Sequence, residues 1–260
     1  MKKICVGIDI AKLTFVAAIK VNEKNKVKSF SNNEDGFKNF IEWLQNFSAE
    51  NCHCCMESTG KYGNALALFL HKNNHVISMV NPAKIKYFMK SQLARNKTDS
   101  VDAKLICKYC ELFSPLQWEP LPAETQELQA LVKRLDTLNK MALQEQNRLE
   151  NVEQIIKESI NDHIIYLKNA IKKKKKMIVR HIDANSVLKK DSELLKSIPG
   201  IGEKTANKTL AFLSHIKDFD KAKQVAAFIG INPQHAQSGT SLNHSHISKT
   251  GDAELRKMLY

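Results

Sequence analysis

The chain has 260 residues, which exceeds one average domain and predicts two, since domains usually contain about 100–200 residues. Hydrophobic residues make up 43% of it, but no apolar run approaches the roughly 18 residues of a membrane-spanning helix, which excludes a membrane span. The net charge is +13. Residues 157–260 hold 19 basic and 10 acidic residues (+9), against 21 and 17 (+4) in residues 1–156. The second part is therefore expected to contact a polyanion.

The first residues are basic and then apolar, but Asp9 interrupts the apolar run and no small-residue cleavage site follows. This pattern predicts a strand rather than a signal peptide. The six cysteines of a chain without an export signal are then expected to be reduced thiols rather than a disulfide framework.

The region before residue 114 alternates strand-like apolar runs with amphipathic stretches. The predicted elements are strands at 3–10, 14–21 and 27–31, a helix around 37–44, a strand at 52–57, a helix at 62–71, a strand at 75–80 and a helix from Asp99 onward, with Thr98 as its N-cap. This βββαβαβα order predicts an α/β domain over residues 1–113, with a mixed sheet layered with helices.

Residues 114–123 contain Pro115, Pro120 and Pro122, which cannot continue a helix and mark a linker. Beyond it, steps of three and four connect nine positions, eight of them apolar: Leu128, Leu131, Leu135, Leu138, Ala142, Glu145, Leu149, Val152 and Ile156. A continuous helix over 124–171 would span about 72 Å. The pattern favours a coiled-coil arm or hairpin over 124–190 that holds a second copy; a hairpin packed on its own chain is the alternative. The lysine block at 172–176 is expected to be a solvated helix face.

A third, mainly helical region covers residues 191–260. Its Ile198-Pro199-Gly200-Ile201-Gly202 stretch lies between apolar helical patterns and resembles a helix–hairpin–helix. In such a motif the glycine turn and the next helix N-terminus approach a DNA phosphate, so Gly200, Gly202 and Lys204 are candidate nucleic-acid contacts. The alternative is a tight turn between two core helices.

Four acidic residues of the first region are the main candidates for chemistry. Asp9 and Glu57 end predicted strands, while Asp99 and Asp102 lie three residues apart on one helix face. A carboxylate on a central strand is costly unless it is paired or bound to a cation. Carboxylate oxygens suit hard divalent ions, and two such ions about 4 Å apart can bind both the attacking and the leaving oxygen of a phosphodiester. The four acids therefore predict a metal site.

A second candidate is Ser238, which precedes a glycine in a predicted turn. Its hydroxyl could project toward a ligand, although a Ser-Gly pair usually marks only a loop. Several nearby side chains offer competing or supporting chemistry: Ser241, Ser245 and Ser248 as other hydroxyls, Lys249 and Arg256 as phosphate-neutralising groups, and His235, His244 or His246 in proton transfer.

The cysteines could form a zinc site if the Cys52-His53-Cys54-Cys55 run met Cys107 and Cys110. In a strand, however, Cys52 and Cys54 face the opposite side to Cys55, and the spacing is not that of a zinc ribbon. Buried thiols are the preferred interpretation.

Taken in order along the chain, these motifs resemble the DEDD transposases of bacterial insertion sequences, which combine a RuvC-like N-terminal domain with a serine-bearing transposase domain. The resemblance rests on these stretches: Gly7-Ile8-Asp9-Ile10-Ala11-Lys12, Met56-Glu57-Ser58-Thr59-Gly60, Asn81-Pro82, Lys97-Thr98-Asp99-Ser100-Val101-Asp102-Ala103, Ile198-Pro199-Gly200-Ile201-Gly202, and Gln237-Ser238-Gly239 to Leu255-Arg256.

The resemblance implies that Asp9, Glu57, Asp99 and Asp102 form an acid tetrad holding Mg²⁺ (or Mn²⁺), and that Ser238 is a nucleophile that becomes covalently linked to DNA. It further implies a structured bridge RNA that pairs with donor and target DNA. Catalytic sites in this family combine acids and serine from different subunits, so a homo-oligomer, a dimer or tetramer, is expected. The implied location is the bacterial cytoplasm, at the nucleoid.

The sequence departs from the family at its end, because it stops at Tyr260, soon after Leu255-Arg256, where family members usually carry further helices. The transposase domain is therefore expected to be truncated. Two alternatives stay open: a RuvC-like metal-dependent nuclease or junction resolvase in which no serine attacks, and a truncated remnant that binds nucleic acid without turnover.

Overall fold

A computed structural model describes most of the chain: residues 4–49, 51–58, 60, 62–92, 98–213, 219–238, 242–251 and 253–259. The chain divides into two compact units, Met1–Pro120 and Leu121–Tyr260. Their boundary falls within the linker predicted at 114–123. Among the described residues, no helix is both long enough and apolar enough to cross a bilayer.

Within its described residues, the first unit contains a five-stranded sheet and four helices. Its elements are β1 (Cys5–Ile10), β2 (Thr14–Val21), β3 (Lys24–Ser31), α1 (Glu34–Gln45), β4 (His53–Glu57), α2 (Asn64–Lys72), β5 (Val76–Val80), α3 (Pro82–Ser91) and α4 (Asp99–Phe113). The strand order is β3-β2-β1-β4-β5. β1, β2 and β3 pair antiparallel, whereas β1, β4 and β5 pair in parallel. The predicted mixed α/β sheet is confirmed, and this arrangement is compatible with a RuvC-like fold.

Helix α3 was not predicted from the sequence, because no element was assigned to the stretch that begins at Asn81-Pro82. These two residues in fact start the helix. The Asn81 side chain accepts a hydrogen bond from the Ala83 amide at 2.8 Å, and Pro82 occupies the first helical turn, where its missing N–H costs nothing. The observed order is therefore βββαβαβαα.

An aromatic core fills one side of the sheet. Phe15 of β2 and Phe30 of β3 stack with ring centroids 5.2 Å apart, and Phe40 of α1 lies 5.4 Å from Phe15. Phe15 and Phe40 are essentially inaccessible to solvent. On the other side α4 packs against β1 and β2, where Ala18, Ala103 and Cys107 form a small buried cluster. Small side chains at this contact let helix and sheet approach closely.

The second unit is mostly helical. Its elements are α5 (Ala123–Glu150), α6 (Gln154–Ala184), α7 (Ser186–Lys196), α8 (Glu203–Phe212), α9 (Ala222–Ile229), β6 (Pro233–Ser238), β7 (Leu242–Ile247) and α10 (Ala253–Leu259). β6 and β7 form an antiparallel hairpin, whereas the sequence predicted a mainly helical region with a turn at Ser238.

A continuous helix over 124–171 is not formed, because α5 ends at Glu150 and α6 begins at Gln154. The two helices pack antiparallel: His181 Nε2 lies 2.7 Å from the carbonyl oxygen of Glu124, and His163 lies 3.4 Å from Glu145. Within the described chain, α5 and α6 thus form a helix hairpin that buries Leu128, Leu138 and Ala142 of the seam, whereas Ile156 is exposed. Assembly with a second copy through this region stays a prediction.

Side-chain contacts along the seam stabilise the hairpin of α5 and α6. Leu138 and Ala142 of α5 pack with Leu167 of α6. Glu145, the acid in the predicted seam, is largely buried and bonds to Arg148 at 2.9 Å. The lysines at 172–176 lie on α6 and are exposed or half-exposed, as predicted.

Candidate active site

Asp9 and Glu57 lie at the carboxyl ends of two neighbouring parallel strands. β1 and β4 pair with Gly7 opposite Cys55 and Ile8 opposite Met56, so Asp9 and Glu57 come next in the same register. Because paired residues of adjacent strands point to the same face and are about 5 Å apart, the strands bring the two carboxylates together. Both side chains are partly exposed.

Helix α4 supplies the other two acids from its first turn. Thr98 caps the helix, because its hydroxyl accepts a hydrogen bond from the Val101 amide at 3.3 Å. Asp99 and Asp102 follow directly. Negative side chains are favourable there because the N-terminus of a helix carries a partial positive charge.

The position of α4 over β1 depends on a glycine. A side-chain Cβ added at Gly7 would lie 2.1 Å from the Cys107 backbone nitrogen and 2.2 Å from the Ala103 carbonyl oxygen. Cys107 also donates its thiol hydrogen to the Cys5 carbonyl oxygen at 3.3 Å. The bare backbone of Gly7 therefore allows α4 to approach β1, two residues before Asp9.

The four predicted acids surround one cavity of about 670 Å³, lined by Asp9, Glu57, Asp99 and Asp102 together with apolar and basic residues. Its basic residues, Lys86 and Lys90, are four positions apart on α3 and were not singled out from the sequence. Their i,i+4 spacing was an available signal, but it has meaning only once α3 is known to be a helix. A cavity that combines carboxylates with lysines can bind both a cation and a phosphate.

The glycine turn of the second unit connects α7 to α8 and is exposed. Gly200 has φ of +89°, a conformation that favours glycine, and Gly202 is the N-cap of α8. Lys204 lines a cavity of about 460 Å³ together with Lys175 and Lys208. Lys208 is paired with Asp136 at 2.7 Å. The turn thus combines accessible backbone with nearby positive charge.

Ser238 is the last residue of β6, and its backbone pairs with Leu242 of β7. The intervening Ser241 lies outside the described residues, as do its neighbours Gly239 and Thr240. Among the rival serines, Ser248 donates its hydroxyl to the Asn232 side-chain oxygen at 2.7 Å, so this hydroxyl helps hold the local structure. Ser245 is exposed.

The two basic residues predicted near Ser238 differ in environment. Lys249 is exposed. Arg256 is half-buried, and its Nη1 donates hydrogen bonds to the carbonyl oxygens of Ile229 at 2.9 Å and Gly251 at 3.0 Å. That nitrogen therefore links the end of α9 to the loop that precedes α10, a role that was not predicted from the sequence. A phosphate contact by Arg256 stays a prediction for its other N–H groups.

None of the six cysteines forms a disulfide; five are buried and Cys5 is partly buried. The Cys52 thiol lies 3.5 Å from the Cys54 sulfur and 3.1 Å from His75 Nδ1. The hydrogen bond with Cys54, aided by His75, lowers the pKa of Cys52 to about 6. Elsewhere Cys110 approaches Cys5 and His53. Neither Cys5 nor His75 was predicted to take part in such a group, because each belongs to a strand or loop distant in sequence from its partners.

Comparison with known protein families complements this geometry. The sequence model of the transposase family DEDD_Tnp_IS110 matches residues 6–156, more than half of the chain. The chain belongs to the IS110 family of transposases. A second model, of the transposase IS116/IS110/IS902 family, matches residues 192–260. The first match includes all four acids, and the second includes the glycine turn and Ser238.

Comparison with individual proteins agrees with these two family matches. The chain is 33% identical over 263 residues to the pilin gene-inverting proteins of Moraxella bovis and Moraxella lacunata, and each alignment covers 100% of this chain and 82% of the relative. It is 22% identical over 238 residues to the transposase for insertion sequence element IS1328 of Yersinia enterocolitica, covering 80% of this chain and 69% of the relative. The IS110-family protein is therefore an enzyme of DNA recombination, and DNA is its partner.

Proposed function

We propose that this transposase cuts and rejoins DNA through a serine-linked intermediate, at a metal site formed by Asp9, Glu57, Asp99 and Asp102. The observation that carries the proposal is the cavity that all four carboxylates line. The four carboxylates belong to three separate elements, β1, β4 and α4. The close packing of α4 on β1 at Gly7 sets the position of α4 relative to that strand.

The donor set fits Mg²⁺ or Mn²⁺. Carboxylate oxygens are the ligands that such hard cations prefer, and all four acids offer them at one cavity. When bound, a divalent ion there supplies Lewis-acid stabilisation of charge on the phosphodiester oxygens. Lys86 and Lys90 of α3 would orient the DNA strand by contacting neighbouring phosphates.

In the proposed step, Ser238 Oγ attacks the phosphorus and forms a P–O bond, while the P–O bond to the leaving deoxyribose oxygen breaks. The serine hydroxyl loses its proton, and the leaving oxygen gains one. A serine hydroxyl is a weak nucleophile in its free state, so the step needs the activation that the acid site provides. The serine phosphodiester keeps the bond energy, so the reverse attack rejoins DNA.

The proposal also concerns how the DNA sites are selected and how many copies of the chain act together. We infer that a structured bridge RNA selects donor and target DNA, and that a dimer or tetramer brings acids and serine of different copies together. The basic second unit supports nucleic-acid binding, since an excess of nine positive charges lies within residues 157–260. We assign phosphate contacts to Gly200, Gly202, Lys204 and Lys249, with the turn between α7 and α8 acting as a helix–hairpin–helix.

A cleavage assay on insertion-element ends tests the acid site. Asp9→Asn should abolish strand cleavage and leave DNA and RNA binding largely intact. The substitution replaces the charged carboxylate that would bind the metal with a neutral amide of the same size. The matched control is Asp35→Asn, which changes an exposed acid of α1 outside the cavity. Cleavage by the unmodified protein that persists in EDTA would contradict a metal-dependent site.

Trapping of a protein–DNA adduct tests the serine. Ser238→Ala should eliminate an adduct that resists SDS, whereas Ser245→Ala and Ser248→Ala should retain it. Metal-dependent cleavage that never yields an adduct, and that survives Ser238→Ala, would instead favour a RuvC-like nuclease. Sequencing of RNA that copurifies with the protein tests the bridge RNA; recovery of only random cellular RNA would argue against guidance.

A further inference from the structure

A second group of ligand-type side chains lies at the opposite end of the strands that carry the acids. Cys5 of β1, His53 of β4 and Cys110 of α4 each offer a ligand atom, and these atoms all lie within 4.8 Å of one another. His53 and Cys110 are buried and Cys5 is partly exposed. Three sulfur and nitrogen donors from three elements thus converge in the interior.

The strand register explains the convergence and adds a fourth donor. Cys5 pairs with His53 across β1 and β4, so their side chains point to the same face. Cys55, two residues beyond His53, shares that face because side chains alternate along a strand. Cys55 and Cys110 of α4 belong to one buried cluster, and Cys5 packs against it. The potential donor set is therefore three sulfurs and one imidazole nitrogen.

The protonation of His53 suits a ligand. Its Nε2 lies 2.7 Å from the Ser78 hydroxyl oxygen, which in turn lies 2.9 Å and 2.8 Å from the carbonyl oxygens of Pro115 and Leu116. Carbonyl oxygens only accept hydrogen bonds, so Ser78 donates to one of them and accepts from His53. The ring hydrogen is therefore on Nε2, and Nδ1 carries the lone pair. Metal-binding histidines usually donate their other N–H in this way.

We propose that Cys5, His53, Cys55 and Cys110 bind one zinc-class ion. Thiolate and imidazole donors select Zn²⁺ over the hard cations that carboxylates prefer, and four such donors match the closed tetrahedral sites in which zinc is structural. On binding, each coordinating thiol releases its proton to solvent and forms a metal–sulfur bond. No electron transfer is involved.

The site would brace the acid tetrad, because the same elements carry both. Cys5 and Asp9 are four residues apart on β1, and His53 and Glu57 are four residues apart on β4. Helix α4 carries Cys110 near its carboxyl end and two acids in its first turn. A metal that ties β1, β4 and α4 together at one end fixes their relative positions at the other. This inference does not depend on the proposed chemistry at the acids.

A second sulfur and nitrogen group, Cys52, Cys54 and His75, is the competing location. It lies on the other face of β4, since Cys54 alternates with His53. Three donors are identified there, whereas the first group has a fourth sulfur, that of Cys55, in the same buried cluster as Cys110, and a histidine oriented by Ser78. The experiment therefore separates the two groups by variants on either face.

The full chain, expressed with added zinc and purified without chelator, should contain one zinc ion per chain by elemental analysis and native mass spectrometry. Cys110→Ser should lower this at least tenfold, while Cys52→Ser, the matched control, should retain the ion. Asp9→Asn should also retain it, which separates this site from the acid tetrad. Less than about one ion per ten wild-type chains, or an ion lost from Cys52→Ser but kept by Cys110→Ser, would overturn the proposal.

A spectroscopic measurement keeps the test independent of how the variants fold. Wild-type protein reconstituted with Co²⁺ should show intense d–d bands of tetrahedral cobalt and a sulfur-to-cobalt charge-transfer band. Loading with Zn²⁺ should remove both bands in proportion to the zinc added. Co²⁺ spectra with only the weak bands of an oxygen-ligated octahedral ion would overturn the assignment.

Discussion

Gly7 should be among the least replaceable residues of the first unit, because a backbone-to-backbone contact occupies the space of a side chain. A Cβ at this position would lie 2.1 Å from the Cys107 nitrogen, 2.2 Å from the Ala103 oxygen and 2.7 Å from the Cys107 Cα. Ordinary contacts begin at 3.4 Å, so Gly7→Ala requires α4 and β1 to separate by about 1.3 Å (3.4 minus 2.1). Backbone atoms cannot rotate away as a side-chain tip can.

The cost follows from this displacement. Overpacking usually costs about 1–3 kcal/mol, and a clash with backbone belongs at the upper end. Replacing glycine also restricts the unfolded chain, which returns about 0.4–1 kcal/mol. We expect a net loss of about 2–3 kcal/mol in the free energy of unfolding. With a urea m-value of about 1.5 kcal/mol per molar, the midpoint should fall by about 1–2 M.

Tryptophan fluorescence is a suitable probe, because both tryptophans, Trp43 and Trp118, belong to the first unit. The matched control is Gly63→Ala in the same unit. There the added Cβ would meet only side-chain ends, Ile10 Cδ1 at 3.1 Å and Met56 Sδ at 3.5 Å. A midpoint change for Gly7→Ala as small as for Gly63→Ala, below about 0.3 M, would refute the argument. Cleavage should also fall, because α4 carries Asp99 and Asp102.

Two further outcomes follow from particular contacts. The double change Lys86→Ala and Lys90→Ala should weaken DNA binding and reduce the slope of log affinity against log salt concentration by up to about 2. Lys84→Ala, on the same helix but outside the cavity, should leave both quantities unchanged. Equal slopes for the two variants would show that Lys86 and Lys90 do not contact DNA phosphates. Leu138→Ala should lower the free energy of unfolding by about 2–5 kcal/mol, since this side chain is buried in the α5–α6 hairpin. Urea unfolding monitored by circular dichroism measures this change. Leu143→Ala, largely exposed on the same helix, should change stability by less than about 0.5 kcal/mol, and equal losses would contradict the assigned seam.

Local patterns in the sequence were sufficient for most of the first unit. Apolar runs predicted each strand of the first unit to within a few residues, because at least half of the residues in β1, β2, β4 and β5 are buried. Thr98 was identified as an N-cap for the same local reason. The four acids were selected because charged residues at strand ends and in a first helical turn have few purely structural roles.

Elements without a strong local pattern were missed. Helix α3 begins with Asn81-Pro82, a pair that also starts turns, and its apolar residues Ile85 and Phe88 are too few for a clear period. The strands β6 and β7 are mostly polar, so they lack the alternation of apolar residues that predicts a strand. Both follow from contacts that a local window does not contain.

Sequence alone determined which residues are chemically unusual, and the tertiary structure decided which of them meet. Helix periodicity predicts which face of α5 and α6 is apolar, but it does not specify what covers that face. The break after Glu150 and the pairing of Glu145 with His163 show that the two helices pack against each other within this chain. In the same way, Cys5 and Cys110 are 105 positions apart (110 minus 5), and only strand register together with the packing of α4 at Gly7 brings their sulfurs together. Contacts between distant positions depend on the packing of whole elements, which no local pattern of residues encodes.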